Sequence, residues 1–275
     1  MTLLYLGTFA GSLLLSFIFT KLVRDVAVRN GWVAAPAHER HLHNTALPRL
    51  GGIAIVFSFL LATGIALIVG RLLHPAGSSF SLHPLLTILP PAILIFFLGV
   101  YDDICGASPS FKFFVQAVAG AMLFGGGLRI LDLPLLFGAH HFSWMVGLPV
   151  TIFWVIAITN AFNLIDGLDG LAAGSALFST LVMFVVALLG NASLISLITL
   201  ALAGAVLGFL RYNFNPATIF LGDCGSLFMG FMLSALSLYG AQKAPTIIAV
   251  AIPLVSFGLP ILETALSVLR RFISG

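Results

Sequence analysis

Hydrophobic residues fall in long unbroken stretches along this chain, near 2–20, 50–70, 84–101, 111–130, 146–162, 171–190, 192–211, 218–240 and 245–268. Each is close to the ~20 apolar residues that carry an α-helix across the hydrocarbon core of a bilayer. The stretches are continuous and lack the period-two polar face of barrel strands, so they predict helices. A helix also satisfies its own backbone in lipid, where no water can do so. Pro90-Pro91, Pro149, Pro253 and Pro260 lie inside stretches, which membrane helices tolerate. Neither a repeat nor a low-complexity linker divides the chain. Residues 1–275 therefore read as one integral domain, an all-α polytopic membrane bundle of about nine transmembrane helices.

Composition narrows the class. Hydrophobic residues make up 60% of the chain and charged ones 8%, against about 25% charged in a soluble domain. A soluble enzyme, a disordered chain and a nucleic-acid module are excluded. In a membrane protein the placement of charge says more than the net +3. The first stretch has no basic residue ahead of it and Lys21, Arg24 and Arg29 behind it. That marks a retained helix with its N-terminus outside. Alternating from there, nine of the twelve basic residues fall on one side, leaving Arg71, Arg129 and Lys243 on the other. The basic side is cytoplasmic by the positive-inside rule. Eight of the nine acids share that face, all but Asp132, although that rule does not draw acids there. The two cysteines, Cys105 and Cys224, fall on the same reducing side, where no disulfide is expected; Cys224 reads as a small buried residue.

Four polar clusters lie on this face. Pro36-Ala-His38-Glu39-Arg40-His41-Leu-His43, with Pro48-Arg49-Leu-Gly51-Gly52, holds three histidines within six residues. It lacks the Cys or i,i+4 His pair of a zinc site, and an anion-binding loop with Arg40 and Arg49 as phosphate forks suits it better. A plain positive-inside loop is the competing reading. Gly99-Val100-Tyr101-Asp102-Asp103, followed by Lys112 and Gln116, sets two adjacent carboxylates near a cation. Asn160-Ala-Phe-Asn163-Leu-Ile-Asp166-Gly167-Leu-Asp169-Gly170 spaces its polar residues by three. On one straight helix Asn160 and Asp169 would face opposite ways. The two glycines predict instead a helix carrying the asparagines, then a turn that presents Asp166, Asp169 and free backbone N–H groups. Asn213-Phe-Asn215-Pro216…Phe220-Leu-Gly222-Asp223-Cys-Gly225-Ser226 puts Asp223 about a turn inside the eighth stretch. A helix cap would explain an aspartate there, but metal ligation also explains the glycines that clear space around it.

Carboxylates alone would repel a phosphate, whereas carboxylates holding a dication would attract one. Oxygen and amide donors without cysteine suit Mg²⁺ or Mn²⁺. Basic residues would neutralise the remaining phosphate charge. A site open both to cytosolic nucleotides and to the lipid of the bilayer predicts phosphoryl transfer from a nucleotide-linked donor to a lipid.

In these four stretches, taken in order, the chain resembles the polyprenyl-phosphate N-acetylhexosamine-1-phosphate transferases, glycosyltransferase family 4. The segment Pro48-Arg49-Leu-Gly51-Gly52 is similar to the undecaprenyl-phosphate GlcNAc-1-phosphate branch, which starts O-antigen, teichoic-acid and related glycans, and differs from the peptidoglycan translocase branch. The resemblance implies a bacterial plasma-membrane enzyme whose site faces the cytoplasm. It implies undecaprenyl phosphate as acceptor, a UDP-N-acetylhexosamine as donor, and a lipid pyrophosphoryl sugar and UMP as products. It assigns Mg²⁺ to Asn163 and Asp223, catalysis to Asp102, Asp103 and Asp223, and substrate contacts to Lys112, Asn160, Asp166, Asp169, Arg40, His43 and Arg49. It leaves a homodimer open. After Arg270-Arg271 the family continues into a His-rich loop and at least one further helix, so these are expected to be absent here, and Glu263 stands where many members have Asp.

Two other classes compete. An intramembrane aspartyl protease would use Asp102 and Asp223 as a proton-sharing pair, although Phe220 replaces a glycine of that motif and the Asn160–Asp169 cluster would be idle. An ion-coupled transporter would place its acids near the midplane, whereas these crowd one surface.

Overall fold

The computed structural model describes residues 1–34, 47–73, 81–132, 142–243 and 258. Among them are eight helices: α1 (Thr2–Arg29), α2 (Gly51–Leu73), α3 (His83–Cys105), α4 (Pro109–Gly125), α5 (Trp144–Leu164), α6 (Leu171–Leu189), α7 (Ser193–Asn213) and α8 (Asp223–Lys243). Two two-residue strands, β1 (Val33–Ala34) and β2 (Leu47–Pro48), pair antiparallel, Val33 opposite Pro48. The polytopic helical class read from the hydrophobic stretches is the class observed. Seven of the helices are long and apolar enough to cross a membrane. The exception is α4, whose 17 residues span about 25 Å at 1.5 Å per residue, short of the ~30 Å core. The ninth stretch, 245–268, lies outside the described residues apart from Gly258, as do Pro253, Pro260, Glu263, Arg270 and Arg271.

Helix α8 is the axis of the bundle. It packs against α3, α5, α6 and α2, and Phe228, Phe231, Leu227 and Leu233 on it are fully buried. An all-round apolar helix buries this way because each of its faces has an apolar neighbour. Helix α7 is almost as enclosed, between α1, α2 and α6. Hydrophobic pressure is weak between helices in lipid, so close approach and interhelical hydrogen bonds carry the packing. The α1–α7 seam shows both. Ser12 and Ser16 donate to the carbonyls of Ala201 and Ala205, each at 2.6 Å. Side chains at Gly204 and Gly208 would collide with the α1 backbone at Phe9 and Leu13.

The ends of the helices gather the polar clusters. Gly106, at φ +72°, ends α3. Ser108 then caps α4, its Oγ accepting from the Phe111 N–H at 3.3 Å, with Pro109 in the first turn, as the preference for Ser at N-cap and Pro at N1 predicts. The resulting hairpin sets Asp102, in the last turn of α3, against Lys112, in the first turn of α4.

Candidate active site

Asp223 does not lie a turn inside an apolar helix, as the hydrophobic stretch had implied. Residues 218–222 precede the helix, and α8 starts at Asp223. Phe220 donates its N–H to Pro48 at 2.8 Å, and Gly51 and Gly52 donate to Phe220 and Leu221 at 3.1 and 2.8 Å. This added strand-like pairing breaks the helix. Gly222 has φ +75° and its α-carbon rests against the Arg49 carbonyl, where a side chain would overlap; only glycine suits both conditions. Gly52 and Gly99 likewise let α2 and α3 approach the first turn of α8, at Gly225 and Cys224. Apolar length could not reveal the break, because Ile219, Phe220 and Leu221 are as hydrophobic outside the helix as they would be inside.

The Asp102-Asp103 pair divides its work. Asp102 accepts from the Ala107 N–H at 2.6 Å and forms an ion pair with Lys112. Lys112 also reaches Asp223 Oδ2 at 2.7 Å, so one ammonium joins the carboxylates of α3 and α8. Asp103 turns the other way. Its Oδ1 accepts from the Asp223 N–H at 2.8 Å and its Oδ2 from the Cys224 N–H at 2.9 Å. Both oxygens cap the start of α8 from a different helix, where orphan donors and the positive dipole end favour a carboxylate.

Helix α5 contributes the asparagines. Asn163 donates from Nδ2 to Ser226 Oγ at 3.0 Å, which leaves its carbonyl oxygen for another partner. Ser226 stands three residues after Asp223, so the bond brings Asn163 to the first turn of α8. Asn160, three residues earlier in α5, donates to Gln116 Oε1 at 2.6 Å and to the Ile156 carbonyl at 2.8 Å. Gln116 is fully buried and its Nε2 has no acceptor among the described residues.

The glycine-rich turn forms where the sequence predicted, between the end of α5 at Leu164 and Gly170 at φ +73°. Its N–H groups are not all free. Gly170 donates to Asn213 Oδ1 at 3.2 Å, and Asn213 Nδ2 donates to the Ile219 carbonyl at 3.0 Å. Asp169 Oδ2 accepts from the Ala217 N–H at 3.0 Å, tying the turn to the segment before α8. Asp166 is half-buried. Desolvation pushes its carboxyl up to about 8, the negative charges of Asp223 and Asp103 push the same way, and Arg49 opposes them.

The structure thus joins Asp102, Asp103, Lys112 and Asp223 by direct bonds. It adds Asn163 through Ser226, and Asp166 and Arg49 through the shared field. Asn160 and Asp169 hold neighbouring elements together. Arg40 and His43 lie outside the described residues. The sequence reading missed Ser226 and Asn213 as connectors, since nothing in a single sequence pairs them with Asn163 or Gly170. Cys224 is buried and Cys105 exposed, both as free thiols.

The donor set fits a dication. Four carboxylates, Asp102, Asp103, Asp166 and Asp223, face two cations, Lys112 and Arg49, leaving an excess of two negative charges when all are ionised. Lys112 already marks a cation position between two of them. Among the described residues no three His, Cys, Asp or Glu side chains are grouped to hold a metal ion, so a dication here would take one or two carboxylates and complete its shell with water and substrate phosphate, as Mg²⁺ usually does.

Comparison with known proteins gives this cluster its setting. Residues 85–241 match the model of glycosyl transferase family 4. The chain is 37% identical to a Bacillus subtilis protein named "probable undecaprenyl-phosphate N-acetylglucosaminyl 1-phosphate transferase", over 97% of this chain and 71% of the relative. It is 33% identical to the decaprenyl-phosphate N-acetylglucosaminephosphotransferase of Mycolicibacterium smegmatis, over 95% of this chain and 69% of the relative. With a phospho-N-acetylmuramoyl-pentapeptide-transferase of Streptococcus mutans it shares 30% identity, over 84% of this chain and 72% of the relative. The matched region holds Asp102, Asp103, Lys112, Asn163, Asp166 and Asp223, the residues that the fold assembles at the first turn of α8, and the chain belongs to glycosyl transferase family 4.

Proposed function

We propose that the protein transfers a sugar 1-phosphate from a UDP-N-acetylhexosamine to undecaprenyl phosphate at the cytoplasmic face of a bacterial plasma membrane. One observation carries the chemistry: Lys112 bridges Asp102 and Asp223 at the capped N-terminus of α8, with Asn163 bonded into the same turn. The similarity to relatives named for polyprenyl-phosphate substrates supports the acceptor class.

In the transfer, an oxygen of the lipid phosphate bonds to the β-phosphorus of the donor. The bond from the β-phosphorus to the oxygen bridging the two phosphates breaks, and UMP leaves carrying that bridging oxygen. The lipid phosphate has a second pKa near 6, so it is largely ionised at neutral pH and position outweighs base catalysis. Asp223 and the side-chain Oδ1 of Asn163 are the groups that would hold Mg²⁺. When bound, the ion supplies charge neutralisation for the pyrophosphate. Lys112, poised between Asp102 and Asp223, can exchange one carboxylate for the incoming lipid phosphate. Asp103 keeps the first turn of α8 in place. The Asp166–Gly170 turn, clamped through Asp169 and Asn213, forms the wall for the nucleotide, and Arg49 offers a guanidinium to its phosphates.

The protease reading draws no support from the relatives, which are named as transferases. The carboxyls of Asp102 and Asp223 do lie within hydrogen-bonding reach of each other, but both also pair with the Lys112 ammonium, and a protease would leave Asn163 and the turn after it idle. The deciding experiment uses the purified protein in detergent with undecaprenyl phosphate and either UDP-GlcNAc or UDP-GalNAc, reading UMP release and lipid-extractable sugar. Mg²⁺-dependent release that EDTA abolishes and Asp223→Ala eliminates is expected. Release indifferent to EDTA, or retained in Asp223→Ala, refutes the metal assignment, and absence of lipid-linked sugar with either donor refutes the transfer.

A further inference from the structure

A second recess, apolar over most of its wall with two arginines at its end, lies between α1 and the end of α7. It encloses about 670 Å³ and is lined by Phe17 and Arg24 of α1, Leu207 and Arg211 of α7, and Tyr212 and Phe214 beside them. The walls are graded. Phe17 and Arg24 are seven residues apart, two turns and about 10 Å along the same face of α1. Leu207 and Arg211 repeat that order one turn apart on α7. The apolar side chains lie toward the body of the bundle and both guanidiniums toward its end.

The recess is held by stacking. Tyr212 packs on Phe17 with ring centroids 5.2 Å apart, and the Arg24 guanidinium lies over the Tyr212 ring, 5.6 Å from its centroid. Asp25 takes Nε and Nη2 of Arg24 through one oxygen, at 3.0 and 2.8 Å, and leaves Nη1 uncommitted. Arg211 is exposed. With Asp25 counted, the recess keeps one positive charge. A guanidinium prefers the fork geometry of phosphate oxygens, and an aliphatic and aromatic wall prefers a hydrocarbon chain.

We infer that this recess binds the phosphate of an anionic phospholipid, with Arg24 and Arg211 on the headgroup and the acyl chain running down the Phe17–Leu207 wall. Arg24 and Arg211 have no place in the transfer chemistry, although the far wall of the recess, at Phe214, Asn215, Pro216 and Thr218, backs onto the turn at Gly170. The ligand of the recess is an amphiphile and not a soluble anion, because the charged and apolar halves are stacked along the helix axis as they are across a leaflet boundary.

The test reads binding alone, so it stands whether or not the transfer reading does. The purified full chain in detergent is offered dioleoylphosphatidylglycerol, dioleoylphosphatidylcholine, glycerol phosphate or inorganic phosphate, and retained adducts are counted by native mass spectrometry. Retention of the phosphatidylglycerol adduct at least ~5-fold above phosphatidylcholine is expected, from the worth of a charge-assisted pair. A similar loss is expected in Arg24→Gln/Arg211→Gln but not in Arg71→Gln at the far end of α2. Equal retention of both lipids, or an unaltered adduct in the double variant, overturns the site. Displacement of phosphatidylglycerol by equimolar inorganic phosphate or glycerol phosphate overturns the lipid assignment. A phosphatidylglycerol analogue with a photoreactive headgroup probes the unmutated chain. Crosslinks within 17–24 and 207–218 support the site, and crosslinks elsewhere refute it.

Discussion

Replacing Asp103 separates a positioning carboxylate from a chemical one. Asp103→Ala removes two charge-assisted hydrogen bonds, at 2.8 and 2.9 Å, from the first turn of α8. Each such bond to a charged acceptor contributes about 1.5–3 kcal/mol, while loss of an N-cap on its own costs about 0.5–2 kcal/mol. Water reaching the exposed helix end recovers part of the larger figure, so a loss of about 2–4 kcal/mol is expected. For a chain of this length that lowers the melting temperature by roughly 4–12 °C. Asp103→Asn keeps one acceptor but turns an amide N–H₂ toward a backbone N–H, and should fall between wild type and Ala. The assay pairs thermal unfolding in detergent with kcat, KM for the UDP-sugar and the half-saturating Mg²⁺ concentration. Stability and Mg²⁺ requirement should worsen together, because a displaced first turn moves Asp223. If Asp103→Asn melts like wild type while kcat falls ~100-fold, the scale of a lost acid–base group, Asp103 acts in the chemistry and the capping argument is wrong.

Further outcomes are expected from the same geometry. Gly222→Ala sets a side chain on the Arg49 carbonyl at a φ of +75°, so little folded protein should be recovered by size-exclusion chromatography; a monodisperse, active variant would contradict the close approach. Lys112→Met removes the cation between Asp102 and Asp223 and should abolish UMP release at any Mg²⁺ concentration, whereas Asn163→Ala should raise the Mg²⁺ requirement roughly tenfold, the scale of a lost hydrogen-bonding or ligating group. An unaltered titration in Asn163→Ala would count against ligation. Asp166 gives a pH signature. Its carboxyl is raised to about 8 in the fold, so between its ordinary value and 8 the folded state holds a proton that the unfolded state has lost, and stability must fall as pH rises across that window. The melting temperature of the metal-free protein should drop from pH 5 to pH 8, and Asp166→Asn should flatten that slope; identical slopes would refute the burial of an acid there.

The sequence by itself determined the solvent and the family. Runs of some twenty apolar residues have one stable solution in lipid, and four polar clusters in a fixed order carry the resemblance that the family match bears out. The turn after Asn163 was legible because Gly167 and Gly170 interrupt a spacing that no straight helix can present on one side. Tertiary structure decided which polar groups meet. Asp102 and Asp103 are neighbours in the chain, yet successive residues of a helix point about 100° apart, so one meets Lys112 and the other the N-terminus of α8. Asp223 became the first residue of a helix and not an internal one, since pairing with residues 48–52 draws 220–221 out of the helix, and that choice depends on a partner segment some 170 positions away. Hydropathy measures a residue's transfer into lipid; it does not record whose backbone completes its hydrogen bonds.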